Sequence, residues 1–212
     1  EDTYQFVMPP KNVIIYPVFD IEMDTTVEGE DTYLVVKSAD DFLKVMKSIA
    51  YGNSDVNVKL AKDITLSDAQ SSAYPVMEAP TYYMGIFDGD GHTVTAKGIM
   101  TPLFGYIGPN GIVNDLTVDG TIGTAESQYS AGIAICNLGY IVNCMNKATI
   151  LGKMKAGIAA INFRMILSCV NKGTLDNNSA AIVYYNAGGA ANVANENKAT
   201  GGVCAQYPGG GG

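Results

Sequence analysis

Asn137-Leu138-Gly139-Tyr140-Ile141-Val142-Asn143-Cys144-Met145-Asn146-Lys147-Ala148-Thr149-Ile150 returns as Asn162-Phe163-Arg164-Met165-Ile166-Leu167-Ser168-Cys169-Val170-Asn171-Lys172-Gly173-Thr174-Leu175, 25 residues on. One offset relates Asn137 to Asn162, Cys144 to Cys169, Asn146 to Asn171 and Thr149 to Thr174. A spacing shared by apolar, cysteine and asparagine positions is the signature of a solenoid whose repeats stack on one another. Working outward, Ile112 to Ile141 gives an offset of 29 and Ile122 to Ile150 one of 28. Asn162 to Asn186 gives 24, and Asn197-Lys198-Ala199-Thr200 echoes Asn146-Lys147-Ala148-Thr149. The drift places insertions at turns, as solenoid loops allow.

In a parallel β-solenoid, equivalent side chains form columns one strand spacing apart, about 4.8 Å. Ile133 with Ile158, Ile141 with Ile166, Cys144 with Cys169, and Ile150 with Leu175 are therefore expected interior neighbours. Asn137, Asn162 and Asn186 form a further column, and Asn146 with Asn171 another. Stacked amides bond to one another and to turn backbone, so these asparagines read as structural ladders. Gly132, Gly139 and Gly157 are assigned to corners. Cys144 and Cys169 read as small core residues rather than a disulfide.

Composition narrows the function classes. The 212 residues carry a net charge of −8, with 13 basic residues, of which Arg164 alone is arginine. No basic patch exists to follow phosphates, so nucleic acid is not an expected partner. No apolar run reaches the ~20 residues a membrane helix needs, so no direct membrane insertion is expected. Four cysteines without a Cys-x-x-Cys pair suggest neither a zinc site nor a disulfide scaffold.

Residues 1–20 read as strand material around Pro9-Pro10, and residues 21–31 as an acidic turn or linker. Tyr33-Leu34-Val35-Val36 reads as a short strand. Ser38-Ala39-Asp40-Asp41 has a cap and acids suited to a helix start. Phe42, Val45, Met46 and Ile49 then follow with helical spacing, predicting a helix near 38–51 that Tyr51-Gly52-Asn53 ends. Its expected task is to cover the open end of the stack. Val56-Asn57-Val58-Lys59-Leu60, Ile64 and Leu66 read as strand.

Tyr4, Phe6, Met8, Pro9, Asn12, Val13 and Phe19 match the closing segment of small β-rich repeats found in tandem on bacterial surface proteins, a resemblance only. Phe87-Asp88-Gly89-Asp90-Gly91-His92-Thr93-Val94, then Leu103-Phe104-Gly105-Tyr106-Ile107, then the Ala-Gly-Ile-Ala and Cys-x-Asn-Lys-x-Thr repeats resemble GLUG-type repeats of bacterial surface proteins. That resemblance spans roughly residues 32–205. It implies an all-β fold, a right-handed single-stranded parallel β-helix, within an exported, adhesin-like chain at the bacterial cell surface. The expected organisation is 1–31 as the end of a preceding repeat, 32–207 as the β-helix with its capping helix, and 208–212 as a Gly-rich tail, with the chain cut from something larger.

Asp88, Asp90 and His92 form the most reactive-looking cluster and could hold Ca²⁺. The calcium-loop spacing fails, however, with His92 in a ligand position and Ile99 where a bidentate Glu belongs. Asp88 and Asp90 are kept as metal candidates, and no cofactor is expected. β-Helix lyases need clustered carboxylates or a base beside calcium, yet no Asp or Glu lies between Gln128 and Leu175. No nucleophile elbow or phosphate loop is present, so the chain is expected not to be an enzyme. Tyr82, Tyr83, Tyr184 and Tyr185 are candidate ligand-stacking residues, one of each doublet facing outward if in a strand; Tyr106 and Tyr129 are further exposed candidates. The expected function is a structural and adhesive module contacting a host or bacterial surface protein or a glycan. The alternative is a carbohydrate-binding or carbohydrate-processing module.

Overall fold

The computed structural model describes residues 22–76, 81–176, 178–196 and 204–206. The proposed repeat end in residues 1–20, the Asn197-Lys198-Ala199-Thr200 echo and the 208–212 tail lie outside them. The described chain is all-β apart from two helices, α1 (Ala39–Ala50) and α2 (Asp68–Ser72).

From residue 104 onward the chain visits three parallel sheets in rotation. Ile112–Asn114, Tyr140–Val142, Met165–Leu167 and Gly189–Ala191 are successive neighbours in an eight-stranded first sheet. Thr117–Ile122, Met145–Asn146, Val170–Asn171 and Ala194–Asn195 do the same in a second sheet. Phe104–Ile107, Ala134–Asn137, Ala159–Asn162 and Val183–Asn186 do so in a third. A small fourth sheet joins Tyr129–Ala131, Met154–Ala156 and Ser179–Ala180.

The registers place like on like. Ile141 pairs with Ile166, Asn137 with Asn162, and Asn146 with Asn171. Ile133, Ile158 and Ile182 follow one another through backbone bonds of 3.0 Å. Two readings of the offsets need correction. Val113, not Ile112, pairs with Ile141, so Val113 is fully buried and Ile112 faces outward. A slip of one residue exchanges the two faces of a strand. Asn195 is the residue beside Asn171, because the stretch from Asn171 to Ser179 is one residue shorter than its counterpart from Asn146 to Lys155.

The helix beginning at Ser38 forms as predicted. The Ser38 hydroxyl accepts from the Asp41 N–H at 3.1 Å, and Phe42, Val45, Met46 and Ile49 are all fully buried. Asp41 does not return the bond to Ser38; its carboxylate accepts from the Lys37 N–H instead. The reciprocal capping box belongs to α2, between Ser67 and Gln70. Gln70 also donates to Asp40 at 2.6 Å, tying the helices together. Phe42 reaches an aromatic interior, edge-on to Phe87 at 6.3 Å, with Phe87 edge-on to Phe104 at 5.4 Å.

The acidic stretch read as a turn contains a strand. Thr25–Glu28 pairs antiparallel with Asp31–Val36 and forms the outer edge of the first sheet. Gly29 turns the hairpin at φ +65°, the glycine-first geometry of a two-residue type II′ turn.

Corners after the first-sheet strands repeat one conformation: Asp115, Asn143, Ser168 and Asn192 all have φ between 52° and 53°. Asp and Asn accept this left-handed region, and serine does so less readily. Gly132, Gly139 and Gly157 serve corners differently, by close approach rather than positive φ. A Cβ at Gly139 would lie 2.2 Å from the Gly111 carbonyl oxygen. Ser168→Asn is therefore expected to raise, and Asn143→Ala to lower, unfolding free energy by about 1 kcal/mol. Urea denaturation followed by circular dichroism measures both.

Candidate functional site

The Asp88-Asp90-His92 cluster is divided by the fold. Asp88 ends the strand Ile86–Asp88 beside Asn57–Leu60, which brings Lys59 into the corner. The Lys59 ammonium lies 2.8 Å from Glu28, 3.2 Å from Asp88 and 3.6 Å from Asp90. Asp88 also accepts from the Asn114 amide at 3.0 Å and from the Asp90 N–H at 2.9 Å. His92 turns to Asp63, with Nδ1 3.3 Å from its carboxylate. Each acid of the corner thus meets a cation or an N–H donor contributed by the chain itself. Among the described residues no group of three or more His, Cys, Asp or Glu side chains is placed to hold a metal ion.

The hydrogen bond from Lys59 to Glu28, opposed by partial desolvation and reinforced by Asp88 and Asp90, holds the lysine far above its ordinary range. A raised pKa means that folding favours the charged lysine. The stability it lends is complete below the unfolded value and declines only in strong alkali. Asp63 has the opposite sense: the Thr93 N–H, then His92, lower its pKa, so its contribution is lost as pH falls through the folded value.

The tyrosine candidates separate by strand alternation. Tyr83 is 1% exposed and donates to the Val56 carbonyl at 3.0 Å, so it belongs to the core and is withdrawn as a ligand contact. Tyr82, on the other face of the same edge strand, is 38% exposed and meets Tyr106 edge-on at 5.5 Å. It borders a groove formed with Tyr51 at the end of α1. Tyr51 entered the sequence reading only as part of a helix stop; ring exposure at a helix end leaves no periodic trace. Tyr184 donates to Asn178 at 2.8 Å, while Tyr185 packs between Tyr184 and Tyr129. Both rings of that doublet are half-buried.

The asparagine ladders are continuous. Asn137 donates to Asn162 at 2.8 Å, and Asn162 to Asn186 at 2.8 Å. Asn146 donates to Asn171 at 2.8 Å, and Asn171 to Asn195 at 3.1 Å. The second proton of Asn137 reaches the Met165 carbonyl, and that of Asn162 the Gly189 carbonyl. Their oxygens accept the N–H two residues on, at Gly139 and Arg164. Asn137, Asn146, Asn162 and Asn171 are fully buried, so the amides are occupied by structure. Cys144 and Cys169 are buried, unbridged neighbours in the column between Leu116 and Val193. Burial pushes the Cys144 thiol well up. Arg164 lies over the Tyr140 ring at 5.4 Å and donates to its hydroxyl at 3.0 Å.

Ser130 and Lys155 escaped the sequence reading. They share a column of the small sheet, both buried, and Lys155 donates to the Gly152 carbonyl at 2.7 Å and pairs with Asp176. A lone lysine in a weakly charged repeat carries no sequence signal of burial.

No family model, curated protein or solved structure matches the chain.

Asn162→Ala is expected to destabilise by about 2–4 kcal/mol, because it strands the buried Asn137 donor and the Arg164 N–H. Asn186→Ala orphans one proton of the buried Asn162 amide and nothing more, so it is expected to cost less, about 1–2 kcal/mol; chemical denaturation of both variants reads the difference. Lys59→Met leaves three carboxylates together and is expected to cost about 1 kcal/mol. Repeating that comparison in 0.5 M NaCl should narrow the gap, since salt screens the exposed acids (on the order of 0.5 M suffices).

Proposed function

We propose that this chain is a non-catalytic structural and adhesive module of an exported bacterial cell-surface protein, built as a right-handed parallel β-helix of the GLUG-repeat type. The observation that carries the reading is the rotation of the chain through three parallel sheets in constant register. Such an arrangement needs no ligand to hold it and yields a stiff rod with large solvent-facing sheets. Helix α1 acts as its cap, placing four fully buried apolar side chains over the aromatic end of the interior.

The acids give little support to catalysis. Those of the Asp88 corner are occupied by Lys59, and His92 is engaged by Asp63. The four buried asparagines bond to one another and to backbone. A contact surface or rigid spacer uses what remains: exposed sheet faces and a few exposed rings.

Two measurements on the purified chain test this. Small-angle scattering should give an elongated profile rather than that of a sphere of equal mass. Beads carrying the chain should retain a surface protein or glycan in a saturable way, without consuming it. Release of reducing sugar or of unsaturated product from plant or microbial polysaccharides would overturn the non-catalytic reading, and a compact, spherical profile would overturn the rod.

A further inference from the structure

We propose that the groove between the C-terminal end of α1 and the edge strand Tyr82–Tyr83 binds an uncharged oligosaccharide, with Tyr51 and Tyr82 as its stacking rings. The inference deepens the contact-surface reading above by naming a ligand class for one site, and it does not depend on the overall shape being a rod.

The groove encloses about 370 Å³ and is bordered by Tyr51, Gly52, Ser54, Thr81, Tyr82 and Met84. That volume suits a few sugar units. Its lining carries no charge, although the chain as a whole is at −8. A second cavity of about 420 Å³, at the other end of α1, is the opposite case, bordered by Glu22, Asp24, Lys37 and Asp41, with Lys37 paired to Asp24 at 2.6 Å. An anion entering the neutral groove would meet no counter-charge and an unfavourable overall field; a cation would lose hydration without a carboxylate to replace it.

Tyr51 and Tyr82 are both exposed, at 47% and 38%. A sugar ring has an apolar C–H face and a rim of hydroxyls. It is therefore held by an aromatic face together with neutral donors and acceptors. The tyrosine rings supply the first; the Ser54 and Thr81 hydroxyls and the Gly52 backbone supply the second.

The site is also fixed in advance. Tyr82 is braced edge-on by Tyr106 at 5.5 Å. The Met84 N–H donates to the Ser54 carbonyl at 2.7 Å, fastening floor to wall. A Cβ at Gly108 would come within 2.1 Å of the Met84 sulfur and 3.1 Å of the Tyr82 Cβ, so glycine there is what leaves room for both side chains. A groove whose walls are already ordered binds with less entropic loss.

The test is titration of the ¹⁵N-labelled chain with cellohexaose, maltohexaose, mannohexaose and xylohexaose, and with oligogalacturonate as a charged control. At least one neutral oligosaccharide should shift the amides of Tyr51, Ser54, Tyr82 and Met84 saturably, with Kd near ~1 mM. Tyr51→Ala and Tyr82→Ala should each weaken binding roughly 3- to 10-fold with the circular dichroism spectrum unchanged. Tyr82→Phe and Tyr184→Ala should leave it intact. Absence of saturable shifts with every neutral oligosaccharide overturns the proposal, as does preference for oligogalacturonate or shifts that ignore both alanine variants. If the groove stays silent while beads still retain a protein, the glycan inference alone falls; if product is released, the non-catalytic reading falls.

Discussion

Each side chain in the parallel sheets has its counterpart about one strand spacing away on either side, so the chemistry of one level constrains the next. A buried amide shows the constraint most sharply. Two donors and an acceptor with two lone pairs must be matched in a dry column, or the penalty is about 1–3 kcal/mol for each orphaned group. Asparagine above asparagine meets it, because the Nδ2 of one faces the Oδ1 of the next at 2.8 Å. The ladders have a direction: every amide donates toward the C-terminal neighbour. At the other end, the Asn146 oxygen turns to the Ala148 N–H and that of Asn137 to the Gly139 N–H. Nothing is then demanded of the residues above, and these are Val118 and Ile107. An apolar column can pass into a polar one because the first amide closes on its own backbone.

The interior changes character along the same direction. Toward the N-terminal end it is aromatic, with Phe42, Phe87, Phe104 and Tyr83 touching in sequence. Toward the C-terminal end it is aliphatic, with isoleucine columns, small residues such as Ala134, Ala156 and Ala159, and the asparagines. The N-terminal end accommodates a helix because Phe42 inserts between Tyr74 and Phe87. At the C-terminal end amide bonds add to the apolar packing of the isoleucine columns. Deleting one amide leaves polar orphans, while deleting one ring leaves a cavity; the two ends fail by different physics.

How much of this was legible depends on whether a segment repeats. Between Asn137 and Leu175 two copies align without gaps, and the isoleucine, cysteine and asparagine columns could be read directly. Above that region the copies diverge. Ile112 and Val113 are both β-branched and apolar, so pattern alone could not decide which faces inward, and the backbone register chose Val113. Strand alternation separated Tyr82 from Tyr83, whereas Tyr184 and Tyr185 are both partly covered, the first bonded to Asn178 and the second packed on Tyr129 and Met154 of the small sheet. Lys59 with Asp88, and Asp63 with His92, lie 29 residues apart in stretches with no internal similarity. Their pairing is set by strand neighbours that only the fold reveals. The Thr25–Glu28 strand was hidden by its polar composition. It has little to bury, since it sits at a sheet edge, where charge hinders pairing with other chains.

That edge bears on where contacts can form. The first sheet ends in a hairpin bearing Glu28 and Asp31, and the second in Ile64–Thr65, against which α1 packs. Both edges are thereby made poor templates for adding a foreign strand. The third sheet differs. Its edge strand, Tyr82–Tyr83, lies where α1 has just ended, and among the described residues the helix stop at Tyr51-Gly52 borders a groove there. Two residues long, the strand offers too little backbone for β-augmentation. What it presents is side chain: one tyrosine buried to anchor it and one turned outward beside the ring from the helix end. That is the geometry the proposed neutral, hydroxyl-rich ligand would use, whereas an extended peptide would need the backbone that this edge lacks.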